Sequence, residues 1–240
     1  MADPVATLLL LPGLLCDADV WADQVLAIGP AVGCVVPCYH DLDSIAAMAR
    51  RVLAHAPPRF ALAGHSMGGR VALEVVRSAP ERVERLALLD TGYEARQPGE
   101  HGAQEARQRR HLVEVARDQG MDAMGVEWVR GMVHPARLTD VALMSRILAM
   151  IGRQTPQAHA AQIQALLDRP DASDVLPQIR CPTLVACGRE DAWSPVARHE
   201  AMAALIPGCE LRVFEDCGHM STMEQPADVT AALRDWLQQR

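Results

Sequence analysis

The sequence predicts an α/β fold, a mostly parallel sheet covered by helices on both faces. Three observations carry that expectation. Short apolar runs alternate with helical periods along most of the 240 residues, one G-x-S-x-G stands where such a run gives way to a helix, and a strand-free stretch over 92–176 interrupts the alternation once. In chain order, residues 6–11, 32–37, 59–64, 85–90, 182–187 and 210–214 read as strands. The helix after Ser66 carries Val71, Ala72, Val75 and Val76 at helical spacing. Another helix is expected from Pro195 with Ser194 as its cap, and a last one from about Pro226 to Leu237. Ligands of such sheets gather at the carboxyl ends of the strands.

The motif Gly64-His65-Ser66-Met67-Gly68 therefore deserves a chemical reading. A serine hydroxyl is a poor nucleophile at neutral pH and needs an exposed perch, a neighbouring base and donors for the oxyanion that forms. A sharp strand-turn-helix supplies the perch for Ser66, with Gly64 and Gly68 allowing the turn to pack closely. Asp191 stands in Gly188-Arg189-Glu190-Asp191 after the fifth strand, and His219 in Cys217-Gly218-His219 after the sixth. The order Ser, Asp, His is the one that separates this arrangement from other Ser-His-Asp enzymes. Ser66, Asp191 and His219 are thus the expected nucleophile, acid and base, with Glu190 and Asp90 as alternatives for the acid. His65 adjoins Ser66 but points to the opposite side of its strand, so it is expected to pack or hydrogen-bond locally rather than serve as the base. The amides of Met67 and of Leu14, in the turn Pro12-Gly13-Leu14 after the first strand, are the expected oxyanion donors.

Taken with Gly69, Gly188 and Glu224-Gln225-Pro226, these motifs resemble the alpha/beta-hydrolase family over nearly the whole chain, most closely its small single-domain carboxylesterases and lactonases. The resemblance implies the alpha/beta-hydrolase fold and hydrolysis of small to medium, largely apolar esters or lactones through an acyl-enzyme, with no cofactor. Two features depart from the family pattern. Pro12-Gly13 stands where His-Gly is usual, and the first strand begins near Met1, which suggests a trimmed version of the fold. Acyl transfer to another alcohol, perhydrolysis, carbon-carbon hydrolysis, cyanohydrin cleavage and slow-turnover ligand reception are the alternatives that the same triad supports.

Composition narrows the partners. A net charge of -7 argues against nucleic acid, which leaves a basic footprint on its binders. No apolar run approaches the roughly twenty residues of a membrane span, and the leading run lacks the basic flank of a signal peptide. Seven cysteines, an odd set, point to a reducing compartment and a cytoplasmic protein. Their spacing matches no common zinc pattern, so no metal is expected; Cys16 and Cys217 are read first as small packing residues and second as pocket lining.

The expected organisation is a single domain over 1–240, with core 1–91 and 177–240 and a helical cap over 92–176, inserted before the strand that carries the acid. The cap holds helical periods at about 100–119, 121–132, 138–152 and 156–168, with Thr155-Pro156 as a cap and first-turn pair. Lying over Ser66, it would shape the pocket and exclude water. Leu15, Trp128, Met132, Met144, Trp193 and Met220 are the candidate pocket residues, and aromatics at only 3% of the chain argue for an aliphatic, permissive lining. Arg107, Arg109, Arg110 and His111 form a basic run, read first as a solvated helix face and second as an attraction for a carboxylate-bearing substrate. His101, His111, His134 and His159 are read as surface histidines.

Overall fold

The computed structural model describes residues 6–39 and 41–239. Six strands, β1 (Thr7–Leu11), β2 (Gly33–Val35), β3 (Phe60–His65), β4 (Val83–Leu89), β5 (Thr183–Gly188) and β6 (Glu210–Phe214), form one sheet in the order β2-β1-β3-β4-β5-β6. Every pairing is parallel, and one row of neighbours runs Leu10, Ala63, Ala87, Leu184, Glu210 across it. All side chains of β3 and β5 are buried. Since successive side chains point to opposite faces, both faces of the sheet are covered, which is why these strands read as unbroken apolar runs.

The edges differ. β2 is three residues long and mostly exposed, shorter than the 32–37 expected, and it stops before Pro37, which has no N–H to give a ladder. β4 begins two residues earlier than expected, at Val83.

Connections between parallel strands must cross over, and helices supply them. α1 (Ala22–Ile28) follows β1, and α2 (Ile45–His55) follows β2 with the Ser44 hydroxyl accepting the Ala47 N–H at 3.2 Å. α3 (Met67–Ser78) follows β3 and buries Val71, Ala72, Val75 and Val76, the stripe its sequence presents. The chain runs outward from β1 to β2, then returns to β3 on the other side of β1. That reversal opens a crevice at the carboxyl ends of β1 and β3, where ligands of such sheets sit.

Between β4 and β5 the chain passes through α4 (Gly99–Gln119), α5 (Met121–Val129), a 3₁₀ turn (Pro135–Thr139), α6 (Val141–Gly152) and α7 (Pro156–Leu167). Asp140 caps α6 through the Leu143 N–H at 3.1 Å, and Thr155 caps α7 through the Ala158 N–H at 3.1 Å, with Pro156 in the first turn where its missing N–H costs nothing. Met124, Trp128, Ile147, Met150, Ile151 and Ile163 are buried inside this insertion.

α8 (Val196–Leu205), α9 (Ser221–Glu224) and α10 (Pro226–Gln238) complete the chain. Ser194 does not cap α8: Pro195 occupies the cap position, with no side-chain cap hydrogen bond. Among the described residues no helix is long and apolar enough to cross a membrane.

Candidate functional site

Ser66 sits between β3 and α3 with φ 55° and ψ -118°, a conformation that costs a non-glycine residue about 1–3 kcal/mol and persists only where the surroundings hold it. Three hydrogen bonds do so. The Ser66 N–H donates to Leu89 O at 2.9 Å, and its carbonyl accepts from the Gly69 N–H at 3.0 Å and the Thr91 hydroxyl at 2.7 Å. The flanking glycines serve close approach: a Cβ on Gly64 would lie 2.4 Å from Gly68 O, and one on Gly68 would lie 2.2 Å from Leu11 O.

The structure brings the three distant polar residues together. His219 Nε2 lies 2.8 Å from Ser66 Oγ, and His219 Nδ1 lies 2.8 Å from Asp191 Oδ2. The other Asp191 oxygen accepts the N–H groups of Trp193 and Ser194, each at 2.8 Å. Burial alone would raise the Asp191 carboxyl, but His219 and these donors outweigh it and hold the group below its ordinary value. Burial likewise works against charge on His219, yet the Asp191 carboxylate raises its pKa above the ordinary histidine value. The alternatives for the acid are engaged elsewhere. Glu190 accepts the Cys217 N–H at 3.0 Å; Asp90 is fully buried, accepting the Gly188 N–H at 3.0 Å and the Ser221 hydroxyl, and burial with Asp191 nearby pushes its carboxyl well up.

Residues beyond the expected triad hold this arrangement. The Glu224 carboxylate, buried under the His219 loop, accepts N–H groups from His134 at 2.7 Å, Gly218 at 3.1 Å and Met220 at 3.1 Å. The carbonyl of Met132, in the insertion, accepts the His219 and Met220 N–H groups at 2.9 and 3.1 Å. His65 Nε2 lies 2.8 Å from the His219 carbonyl; burial and the neighbouring His219 push its imidazole down to about 4, so it is neutral and donates there. The turn after β1 is fixed from two sides: the Tyr39 hydroxyl donates to Pro12 O at 2.6 Å, and the Leu15 N–H donates to Gln162 Oε1 of α7 at 2.8 Å. Only Tyr39 and Gln162 being buried polar groups could have flagged them, and burial is not a sequence observable.

A cavity of about 230 Å³ opens over Ser66 and His219. Leu14 and Met67 line it, as do Trp128, Met132, Trp193 and Met220. Met67 is the first residue of α3, so its N–H has no intrahelical acceptor. Leu15 and Met144 lie outside the lining, contrary to expectation. Leu15, at φ 60°, turns its side chain into the core and is 0% exposed, while Met144 is half-buried and packs against the hydrophobic core.

The lining also corrects the expected aliphatic character. Arg70, Glu105, Arg109, Arg169 and Arg198 all face the cavity. Arg109, expected on a solvated face, is only 13% exposed: its Nε donates to Glu105 at 2.9 Å, and its guanidinium lies 5.2 Å from the Trp193 ring centre. Cys16 lines the cavity rather than only packing, and burial, then Asp17, pushes its thiol up to about 12. His159, read as a surface histidine, is 0% exposed; burial and then Arg109 push its imidazole down to about 4. No group of three or more His, Cys, Asp or Glu side chains is placed to hold a metal among the described residues.

Known proteins share this architecture. The pimeloyl-(acyl-carrier protein) methyl ester esterase of Aromatoleum aromaticum is 27% identical over 191 residues, covering 77% of this chain and 76% of that protein. A thermophilic esterase from Thermogutta terrifontis, solved with malate bound, superposes with a TM-score of 0.86 at 29% identity, covering 99% of this chain and 91% of its own. The enol-lactonase of Burkholderia xenovorans shares the fold at 20% identity, with a TM-score of 0.85 over 99% of this chain and 93% of its own. The profile of the alpha/beta hydrolase family matches residues 8–233, nearly the full described length. With its parallel sheet and its serine turn between β3 and α3, the chain belongs to the alpha/beta hydrolase family.

Proposed function

We propose that this chain is a serine hydrolase that cleaves carboxylic esters or lactones through an acyl-enzyme. The observation that carries the reading is the unbroken chain from Ser66 Oγ to His219 to Asp191, two contacts of 2.8 Å each, at the floor of a cavity. His219 takes the Ser66 proton as the oxygen attacks the carbonyl, and Asp191 holds the imidazole in the right tautomer and stabilises the imidazolium. The oxyanion is stabilised by the amides of Met67 and Leu14, whose turn is braced by Tyr39 and Gln162. His219 then protonates the leaving alcohol, and water repeats the sequence to release the acid. The residues of 92–176 act as a cap over the site, contributing Glu105, Arg109, Leu112, Trp128, Met132 and Ile163 to the cavity wall.

Similarity to named esterases supports an ester as substrate, and a cavity of about 230 Å³ favours one of small to medium size. Cys34, Cys181, Cys187, Cys209 and Cys217 are free thiols, which supports a reducing compartment such as the cytoplasm. The test is multiple-turnover hydrolysis of p-nitrophenyl esters from acetate to octanoate by the protein and by Ser66→Ala. Sustained turnover that is lost in a folded Ser66→Ala protein is expected. Activity retained in that variant overturns the assignment, and a stall near one turnover points to ligand reception.

A further inference from the structure

One part of the cavity wall is built from charges that ester hydrolysis does not require. Arg70 lies one turn along α3 from Ser66, Arg109 comes from α4, Arg169 from the segment after α7 and Arg198 from α8. All four line the cavity with a single carboxylate among them, Glu105; the other acid on the lining, Asp90, is bound to Ser221 and Gly188 behind the site. Glu105 is already engaged. Arg169 holds both its oxygens at 2.7 and 2.8 Å, and Arg109 adds a contact at 2.9 Å. Burial would raise the Glu105 carboxyl, but these two arginines outweigh it and bring it down to about 2.

Arg70 and Arg198 are left facing each other across the cavity edge. Each gives one nitrogen to a carbonyl, Arg70 to Glu94 O and Arg198 to Trp193 O, both at 2.9 Å. They converge over Gly92, where a Cβ would lie 2.8 Å from Arg70 Nη2 and 3.0 Å from Arg198 Cδ. Glycine at 92 therefore leaves room for the Arg70 guanidinium and the Arg198 side chain at one spot. Burial, then Arg169, Arg198 and Arg109, pushes the Arg70 guanidinium well below its ordinary value, with Glu105 pulling the other way. Such crowding of cations in a chain of net charge -7 is a local excess that an anion would relieve. Arg70, Glu105, Arg169 and Arg198 also line a second cavity of about 340 Å³ beside His101 and Gln104, so the cluster stands between that space and Ser66.

We infer that Arg70 and Arg198 form a carboxylate-binding subsite, selecting esters or lactones that carry a free carboxylate a few atoms from the scissile carbonyl. Two guanidinium forks suit a planar carboxylate, which accepts hydrogen bonds in pairs. Arg109 and Arg169, pinned by Glu105, hold the wall in place. The inference rests on the proposed hydrolase activity, and its test separates the two.

The experiment compares kcat/KM for monomethyl succinate, glutarate and adipate with kcat/KM for methyl butanoate, pentanoate and hexanoate. A second arm sets 4-acetoxybutanoate against butyl acetate, which places the anion on the alcohol side. A preference of at least tenfold for the charged member of either pair is expected, because a site built to bind a polar group rejects the analogue that lacks it. Arg70→Gln and Arg198→Gln should each lower that ratio at least tenfold, and Arg70→Lys should restore part of it. Independently of any variant, succinate, glutarate or adipate should inhibit p-nitrophenyl acetate hydrolysis competitively, while the corresponding diols should not. Equal kcat/KM for charged and neutral esters, or no inhibition by any of the diacids, overturns the subsite while leaving the esterase reading intact. Loss of hydrolysis of every ester points instead to failure of the esterase reading itself.

Discussion

The strand-end loops and the helical insertion both line one cavity, and they are held by different physical means. The loops after β1, β3, β5 and β6 are set by backbone geometry: a strained Ser66, glycines where a Cβ would meet a carbonyl oxygen, and carboxylates that gather N–H groups. The insertion is set by packing of α4 on α5 and α7, and its polar contribution comes from side chains folded inward, Arg109, Glu105 and Gln162. The proposed reacting groups are fixed by short local motifs, while the proposed selecting arginines, on α3 and α8, and the insertion residues that pack around them are fixed by which helix faces which. The two regions meet at Met132 O and Gln162 Oε1, which bind the His219 loop and the Leu15 turn respectively.

The comparison breaks most sharply at Asp191. Asp191→Asn should lower kcat by about 10⁴ with little change in melting temperature, since the geometry survives and the tautomer does not. The pH profile checks the cause. His219 must be neutral to take the proton, and its pKa is raised, so the acidic limb of kcat/KM in the wild type should lie above the ordinary value of about 6.5. Removing the carboxylate charge should move that limb to lower pH. A limb that stays in place assigns it to another group.

A smaller loss is expected inside the insertion. Met124→Ala empties a fully buried site and should cost about 2–5 kcal/mol of unfolding free energy in urea denaturation. If the insertion packs as an autonomous cover, Km should change more than kcat; equal falls in both would tie its packing to the reacting groups.

Gln162→Leu tests the seam. It removes the acceptor for the Leu15 N–H and should reduce kcat by about 10-fold through a loosened oxyanion turn, less than deleting an oxyanion donor outright, which costs about 10² to 10³. Unchanged kcat would show that Tyr39 alone braces the turn. Smallest of all, Arg153→Ala cuts the exposed ion pairs from the end of α6 to Asp17 and Asp19 and should change stability by less than about 1 kcal/mol, measured by the same denaturation.

Legibility followed the range of the interactions. The four helices of the insertion fell close to their sequence periods, because an amphipathic stripe and a cap such as Thr155 are local features. Pocket membership was local only beside the proposed catalytic residues. Trp193 and Met220 face the cavity because each follows a residue with a fixed role, Asp191 or His219. Leu15 departs from the expected lining because a positive φ turns it inward, and Met144 because the rotation of α6 about its axis is decided by its neighbours.

The sequence by itself determined the alternation of strands and helices, the position of the serine turn and the chain order of Ser66, Asp191 and His219, since each rests on residues adjacent in the chain or on a short motif. Only the tertiary structure decided that Glu224, Tyr39 and Gln162 brace the site and that Arg70, Arg109, Arg169 and Arg198 converge beside Ser66. Convergence of charges from four segments depends on how helices pack over a sheet. An arginine in the sequence carries no sign of whether its guanidinium will meet water or another arginine.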